Sequence, residues 1–104
     1  MHLYVDYQGI RIRLSEERLA HILEHPEMKD VEPRIQRTLA RPERVIESLS
    51  DSQARLYYRL YVGTRIGNKH LWVVVKMLEA DAFVVTAYLT DKVKKGRQLW
   101  PREN

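Results

Sequence analysis

His70-Leu-Trp-Val-Val-Val-Lys-Met-Leu-Glu-Ala-Asp-Ala-Phe-Val-Val-Thr-Ala-Tyr-Leu89 sets two runs dense in β-branched and aromatic residues on either side of Glu79-Ala80-Asp81. That polar break is of the kind that closes a hairpin. Trp72, Val73, Val74 and Val75 are apolar at consecutive positions, so this strand is expected to be covered on both faces and to lie at the centre of a sheet. Lys76, Thr86 and Tyr88 interrupt the apolar pair with polar groups, and these are the positions at which chemistry is expected.

The 104 residues of the chain suffice for one domain, residues 1–104, with a single core and no room for a separate substrate domain. Cysteine is absent, which excludes a disulfide framework and a thiolate metal site. The opening Met1-His2-Leu3-Tyr4-Val5-Asp6 has no basic region leading into an apolar one. No apolar run approaches the roughly 18 residues that span a bilayer. The expectation is a soluble cytoplasmic protein with no membrane partner. The formal charge of +4 favours polyanionic partners, because phosphate contacts release condensed counterions. Charge alone is a weak pointer, since many small basic domains bind no nucleic acid.

Outward from the central hairpin, Leu3 to Leu14 reads as another one, with a turn near Asp6-Tyr7-Gln8-Gly9. In its second arm Ile10, Ile12 and Leu14 alternate with Arg11 and Arg13, so the arginines face water and read first as guards of a sheet edge. Ser15 is a good N-cap, followed by Glu16 and Glu17 where acid complements the helix dipole. Leu14 and Leu19 are spaced for a hydrophobic staple. The helix is expected to run to His25, because Pro26 cannot continue it. Leu19, Ile22 and Leu23 form its apolar face, and Arg18, His21 and His25 fall on one flanking stripe. Asp30 is expected to cap a second helix that has Val31, Ile35 and Leu39 on one side and ends at Arg41-Pro42.

Beyond it, Arg44 to Leu49 and Ala54 to Val62 read as strands. In the longer one Leu56, Tyr58 and Leu60 share one face, and Tyr57, Arg59 and Tyr61 share the other. Gly67-Asn68 is expected to turn the chain into the strand that ends at Met77. After the last strand, Ala82 to Leu89, comes a basic segment, Thr90 to Arg97, with little core character. Hairpin, two helices and an antiparallel meander make an α+β layout.

His21-Ile-Leu-Glu24-His25 fits the H-x-x-E-H string of inverted zinc metallopeptidases. Pro26 cuts that helix at once and five residues match easily by chance, so no metal or other cofactor is assigned. The plain reading of both histidines is of flank residues complementing the negative end of a helix. Their functional reading is acid/base work near neutral pH. Metal-free RNA cleavage by the 2′-hydroxyl needs a base, an acid and donors around the phosphorane. Arg59 offers a bidentate fork for a phosphate and reads equally as a solvated or carboxylate-paired arginine. Thr86 and Tyr88 can address a phosphate together, or be packed strand residues. Lys76 lies on the neighbouring strand and can join the same patch, at a register that the sequence does not fix. Lys92, Lys94, Lys95 and Arg97 read as a solvated charge run or as a grip on an RNA backbone. Tyr57, Tyr58, Tyr61 and Trp100 are core aromatics or base-stacking surfaces.

Arg18-x-x-His21-Ile-x-x-x-His25-Pro26-Glu27, Tyr57-Tyr58-Arg59, Val73-Val74-Val75-Lys76 and Phe83-Val84-Val85-Thr86-Ala87-Tyr88 together resemble the phage- and plasmid-associated nuclease domains called PBECR. Those belong to the barnase, EndoU, colicin and RelE-like (BECR) fold group. The resemblance spans about Leu14 to Gly96. It implies N-terminal helices packed on a four-stranded, or slightly larger, antiparallel sheet, and metal-independent endoribonuclease activity. It also implies a toxin or mobile-element setting, with an antitoxin or immunity protein as partner. Carried over, His21, Arg59, Thr86 and Tyr88 become the expected catalytic residues. Arg18, His25, Lys76, Lys92, Lys94, Lys95 and Arg97 become the expected RNA contacts. A non-catalytic module that binds nucleic acid or protein through the same surface is the alternative. Oligomeric state is not readable from the sequence.

Overall fold

The structure, a computed structural model, describes residues 1–102. Seven strands form one sheet: β1 (His2–Val5), β2 (Arg11–Leu14), β3 (Arg44–Ser48), β4 (Ala54–Thr64), β5 (Gly67–Met77), β6 (Ala82–Thr90) and β7 (Gly96–Trp100). Their order is β1-β2-β6-β5-β4-β3-β7. β5 is thus the middle strand, as the apolar run from Trp72 to Val75 requires.

This overturns the four-stranded antiparallel sheet expected from the resemblance. The sheet is mixed, because β2 meets β6 in parallel at Arg13 and Phe83, and the helical part is limited to two short helices and one 3-10 turn. Two local facts produce the larger sheet. The N-terminal hairpin joins the meander through β2, which leaves Arg11 and Arg13 one strand inside the edge they were expected to guard. The basic segment beyond β6 then turns back as β7 and pairs with β3. Gly96 makes that pairing close, since a Cβ there would run into the Glu47 carbonyl and the Ile46 side chain.

Helix α1 covers Glu16–Leu23, and the Ser15 hydroxyl accepts the Arg18 N–H at 3.1 Å as expected of an N-cap. It stops before His25, which instead has extended backbone and precedes the 3-10 turn Pro26–Met28. Helix α2 covers Glu32–Ala40 and is preceded by Val31 rather than capped by Asp30. Pro33 in its first turn has no N–H for a capping side chain to bind, and Asp30 takes the Arg65 guanidinium at 2.7 Å instead. The β4–β5 turn is made by Arg65 and Ile66, between the paired residues Thr64 and Gly67. Gly63 and Gly67 flank it with φ of 71° and 99°, the left-handed region that suits glycine.

Both helices lie on one face of the sheet. There Leu19, Ile22, Ile35 and Leu39 pack against Ile12, Leu14, Val45, Tyr57, Tyr61, Leu71, Val73, Val75, Val84 and Ala87. Among the described residues the other face has no helix, and it carries a smaller cluster of Ile46, Leu56, Tyr58 and Trp72, joined by Val74, Tyr88 and Val93. A bulge pairs Val74 with Thr86 but Val75 with Val84. The extra residue, Val85, lets Val84 and Ala87 both face the helices while Thr86 and Tyr88 face away. Among the described residues no helix is long and apolar enough to cross a membrane.

Candidate nucleic-acid interface

The sheet separates the residues expected to form one catalytic centre. His21 lies on the outer side of α1, exposed, with Nδ1 3.5 Å from Glu24 Oε2. Arg18 and His21 share a shallow concavity with Glu17 and Glu24, so its charge is mixed. Arg59 stands with Tyr57 and Tyr61 on the helix-covered side, and its Nη1 donates to the Arg41 carbonyl at 2.7 Å. That carbonyl sits at the C-terminal end of α2, where a cation satisfies an orphan acceptor and complements the dipole. Thr86 and Tyr88 lie on the opposite, helix-free face, across from Val74 and Trp72. His21, Arg59, Thr86 and Tyr88 are therefore not brought together: alternation along β4 puts Arg59 on the helix side, which also carries His21, and alternation along β6 puts Thr86 and Tyr88 on the other.

The zinc string is taken apart by the same local geometry. His25 is off the helix, so the one-turn spacing to His21 that a metal pair needs is lost. Among the described residues no three His, Asp or Glu side chains are grouped to hold a metal ion.

The helix-free face does gather several of the expected RNA contacts. The Trp72 and Tyr88 rings meet edge to face at 4.3 Å between centroids, and Tyr58 stacks on Trp72 at 5.8 Å. The segment between β6 and β7 crosses this ladder. Its Lys94 N–H donates to the Tyr58 hydroxyl at 3.0 Å, and the Lys94 ammonium sits 4.5 Å from the Trp72 ring centre, a cation–π contact. Burial pushes the Tyr58 phenol up, outweighing the Lys94 N–H that pulls it down. Burial also raises Tyr88, with the neighbouring Tyr58 adding to it. The buried Trp72 indole N–H has no partner among the described residues.

Beside the ladder, Arg44, Lys94, Lys95 and Arg97 line a concavity of about 470 Å³ together with Ile46, Val93, Gly96 and Gln98. Among the described residues its wall contains no carboxylate. Arg97 is tied by Nη2 to Glu47 Oε1 at 2.9 Å. Arg44 and Lys95 are exposed and make no ion pair among the described residues. Lys94 belongs to both the concavity and the aromatic ladder and so joins them. Lys92 is exposed next to Asp91, which pairs with Lys69. Lys76 also reaches the helix-free side but is held by Asp51 at 2.5 Å, and its ammonium keeps that carboxyl below the usual range. Arg13 makes a two-pronged contact with Asp81 at 2.9 and 2.8 Å over the Phe83 ring.

Arg44 is the residue that reading the sequence missed as a site member. It was legible only as the start of a strand. Its place depends on pairing opposite Tyr58, a register that no local signal encodes. No family model, curated protein or solved structure matches this chain.

Proposed function

We propose that the chain binds single-stranded RNA across the helix-free face of its sheet. The observation that carries this reading is the concavity lined by Arg44, Lys94, Lys95 and Arg97, with no carboxylate in its wall among the described residues and continuous through Lys94 with the Trp72–Tyr88 pair. Cations along a groove take backbone phosphates, and a neighbouring aromatic ring takes a base, which together make a strand-binding surface of low sequence preference. Tyr88, half-buried at the margin of the ladder, is the ring a base reaches; Trp72 and Tyr58, on the next two strands, are buried.

Cleavage by 2′-hydroxyl attack is the second reading, supported by the hydroxyls of Thr86 and Tyr88 on that same face. A general base works best with a pKa near the working pH, whereas the Tyr88 phenol is moved up and away from it. The raised phenol fits the proton donor of such a step rather than its base, and the strand-holding reading rests on the concavity and the aromatic pair.

Fluorescence anisotropy with labelled single-stranded RNA, read across a salt series, tests the proposal. The parent is expected to bind with an affinity that falls steeply with salt. Arg44→Ala with Lys95→Ala is expected to weaken binding at least about tenfold and to flatten the salt slope by about 0.7 for each phosphate no longer neutralised. Absence of binding by the parent at low salt, or an unchanged slope in the double variant, rejects the reading. Intact RNA after long incubation in EDTA separates holding from cutting.

A further inference from the structure

The outermost strand β1 is an edge of the sheet. Its register against β2 runs unbroken, His2 to Leu14, Leu3 to Arg13, Tyr4 to Ile12 and Val5 to Arg11. One step further on, the Asp6 N–H donates to the Ile10 carbonyl at 2.9 Å. Antiparallel neighbours alternate between residues that exchange backbone hydrogen bonds and residues that do not. Counting back from Asp6, His2 and Tyr4 bond inward to β2, so the N–H and C=O groups of Leu3 and Val5 point outward into the open edge.

The same two residues carry exposed apolar side chains. Leu3 is 58% and Val5 51% exposed, while Tyr4 between them is buried with the helix-side core. Leu3 and Val5 therefore stand on the helix-free face, next to Arg13 and Arg11. Proteins blunt such an edge by keeping it short or with a lysine, a proline or a bulge; β1, at 4 residues, is short but has no lysine, proline or bulge. The other edge is treated differently: β7 shifts register against β3, carries Arg97 and is followed by Pro101.

We propose that β1 is a seam between two copies of this chain. With β1 antiparallel to its mate about a two-fold axis at Tyr4, Leu3 exchanges backbone hydrogen bonds with Val5 of the second copy, and Val5 with its Leu3. The exposed side chains of the two residues then cover one another on the helix-free face. The occupant this edge needs is a strand that offers outward backbone groups and exposed apolar side chains two residues apart. β1 itself is such a strand, as a self-complementary two-fold contact requires. Arg11 and Arg13 lie one strand back from the seam, so no like charges face each other across it. A sheet of both copies would place the two basic concavities at its far ends.

Sedimentation velocity of the full chain, with no residues added before Met1 and across a wide range of concentration, tests the seam. The expected result is a twofold mass that gives way to monomer on dilution. Val5→Lys is expected to raise the dimer dissociation constant at least about tenfold, because its charge is buried only in the pair. Leu3→Lys makes the same test from the other residue. Val62→Lys, at a position 74% exposed near the β4–β5 turn, is expected to leave the dimer unchanged. Thermal unfolding of each variant at the lowest concentration checks that the single copy still folds. A parent that stays monomeric throughout, or a folded Val5→Lys variant that dimerises as the parent does, overturns the proposal.

Discussion

Asp6 and Tyr57 form the most consequential polar contact of the core. Tyr57 is fully buried and Asp6 nearly so. The phenol donates to Asp6 Oδ2 at 2.7 Å, while Oδ1 accepts the Gln8 and Ile10 N–H groups at 2.9 Å. The carboxylate thereby shapes the β1–β2 turn and ties it to β4. Burial raises the Tyr57 phenol most, and its bond to Asp6 and the Asp6 charge raise it further against the pull of Arg55. A phenol whose pKa is higher in the fold than in the open chain contributes stability that is complete below its ordinary 10.0 and is lost as pH rises beyond it. Tyr4, Tyr7, Tyr58 and Tyr88 are raised too. Urea unfolding is therefore expected to show stability falling above pH 10. Tyr57→Phe should cost about 1–3 kcal/mol at neutral pH, because it leaves a buried acceptor short of a donor. It should also soften the alkaline fall without abolishing it. A variant as stable as the parent at pH 7 would mean that Asp6 finds another donor. This pair was not legible beforehand: periodicity places Tyr57 on a strand face, but says nothing of a turn residue 51 positions away.

Among elements, those decided by local chemistry were readable and those decided by distant pairing were not. Ser15 as cap, the buried faces of the two helices and the two-sided alternation of β4 each follow from spacing and side-chain type. The parallel contact of β2 with β6 and the existence of β7 do not. Gly96-Arg97-Gln98-Leu99-Trp100 has neither strict alternation nor β-branched residues. It becomes a strand because Leu99 packs against the helix-side core and Gly96 lets the backbones approach. Gly96→Ala should therefore push β7 from β3 and cost about 1–3 kcal/mol, the usual range for overpacking a tight site. Hydrogen exchange should show the amides of Arg97 and Trp100, which face Glu47 and Val45 of β3, losing protection while those of β5 keep theirs. Equal protection in parent and variant would show that β7 is held by its side chains alone.

At the scale of the whole molecule the sheet acts as a partition, and this was the hardest feature to foresee. Reading β4 correctly as two-faced puts Arg59 with Tyr57 and Tyr61. Which of those faces the helices cover is a tertiary fact that the chain expresses only when folded. His21 and Arg59 consequently share the helix side, while Thr86, Tyr88, Lys94, Lys95 and Arg44 share the other. Groups on opposite faces, with no common partner, are expected to act independently. His21→Ala and Arg59→Ala should thus leave RNA affinity within about twofold of the parent and the salt slope unchanged. Arg59→Ala should still lower stability, because the Arg41 carbonyl at the end of α2 loses its donor. The binding comparison therefore belongs at a temperature where circular dichroism shows every variant fully folded. Loss of affinity in a folded His21→Ala protein would mean that a strand wraps from the helix-free face over the edge to α1. That result would restore His21 to the working surface and refute the partition.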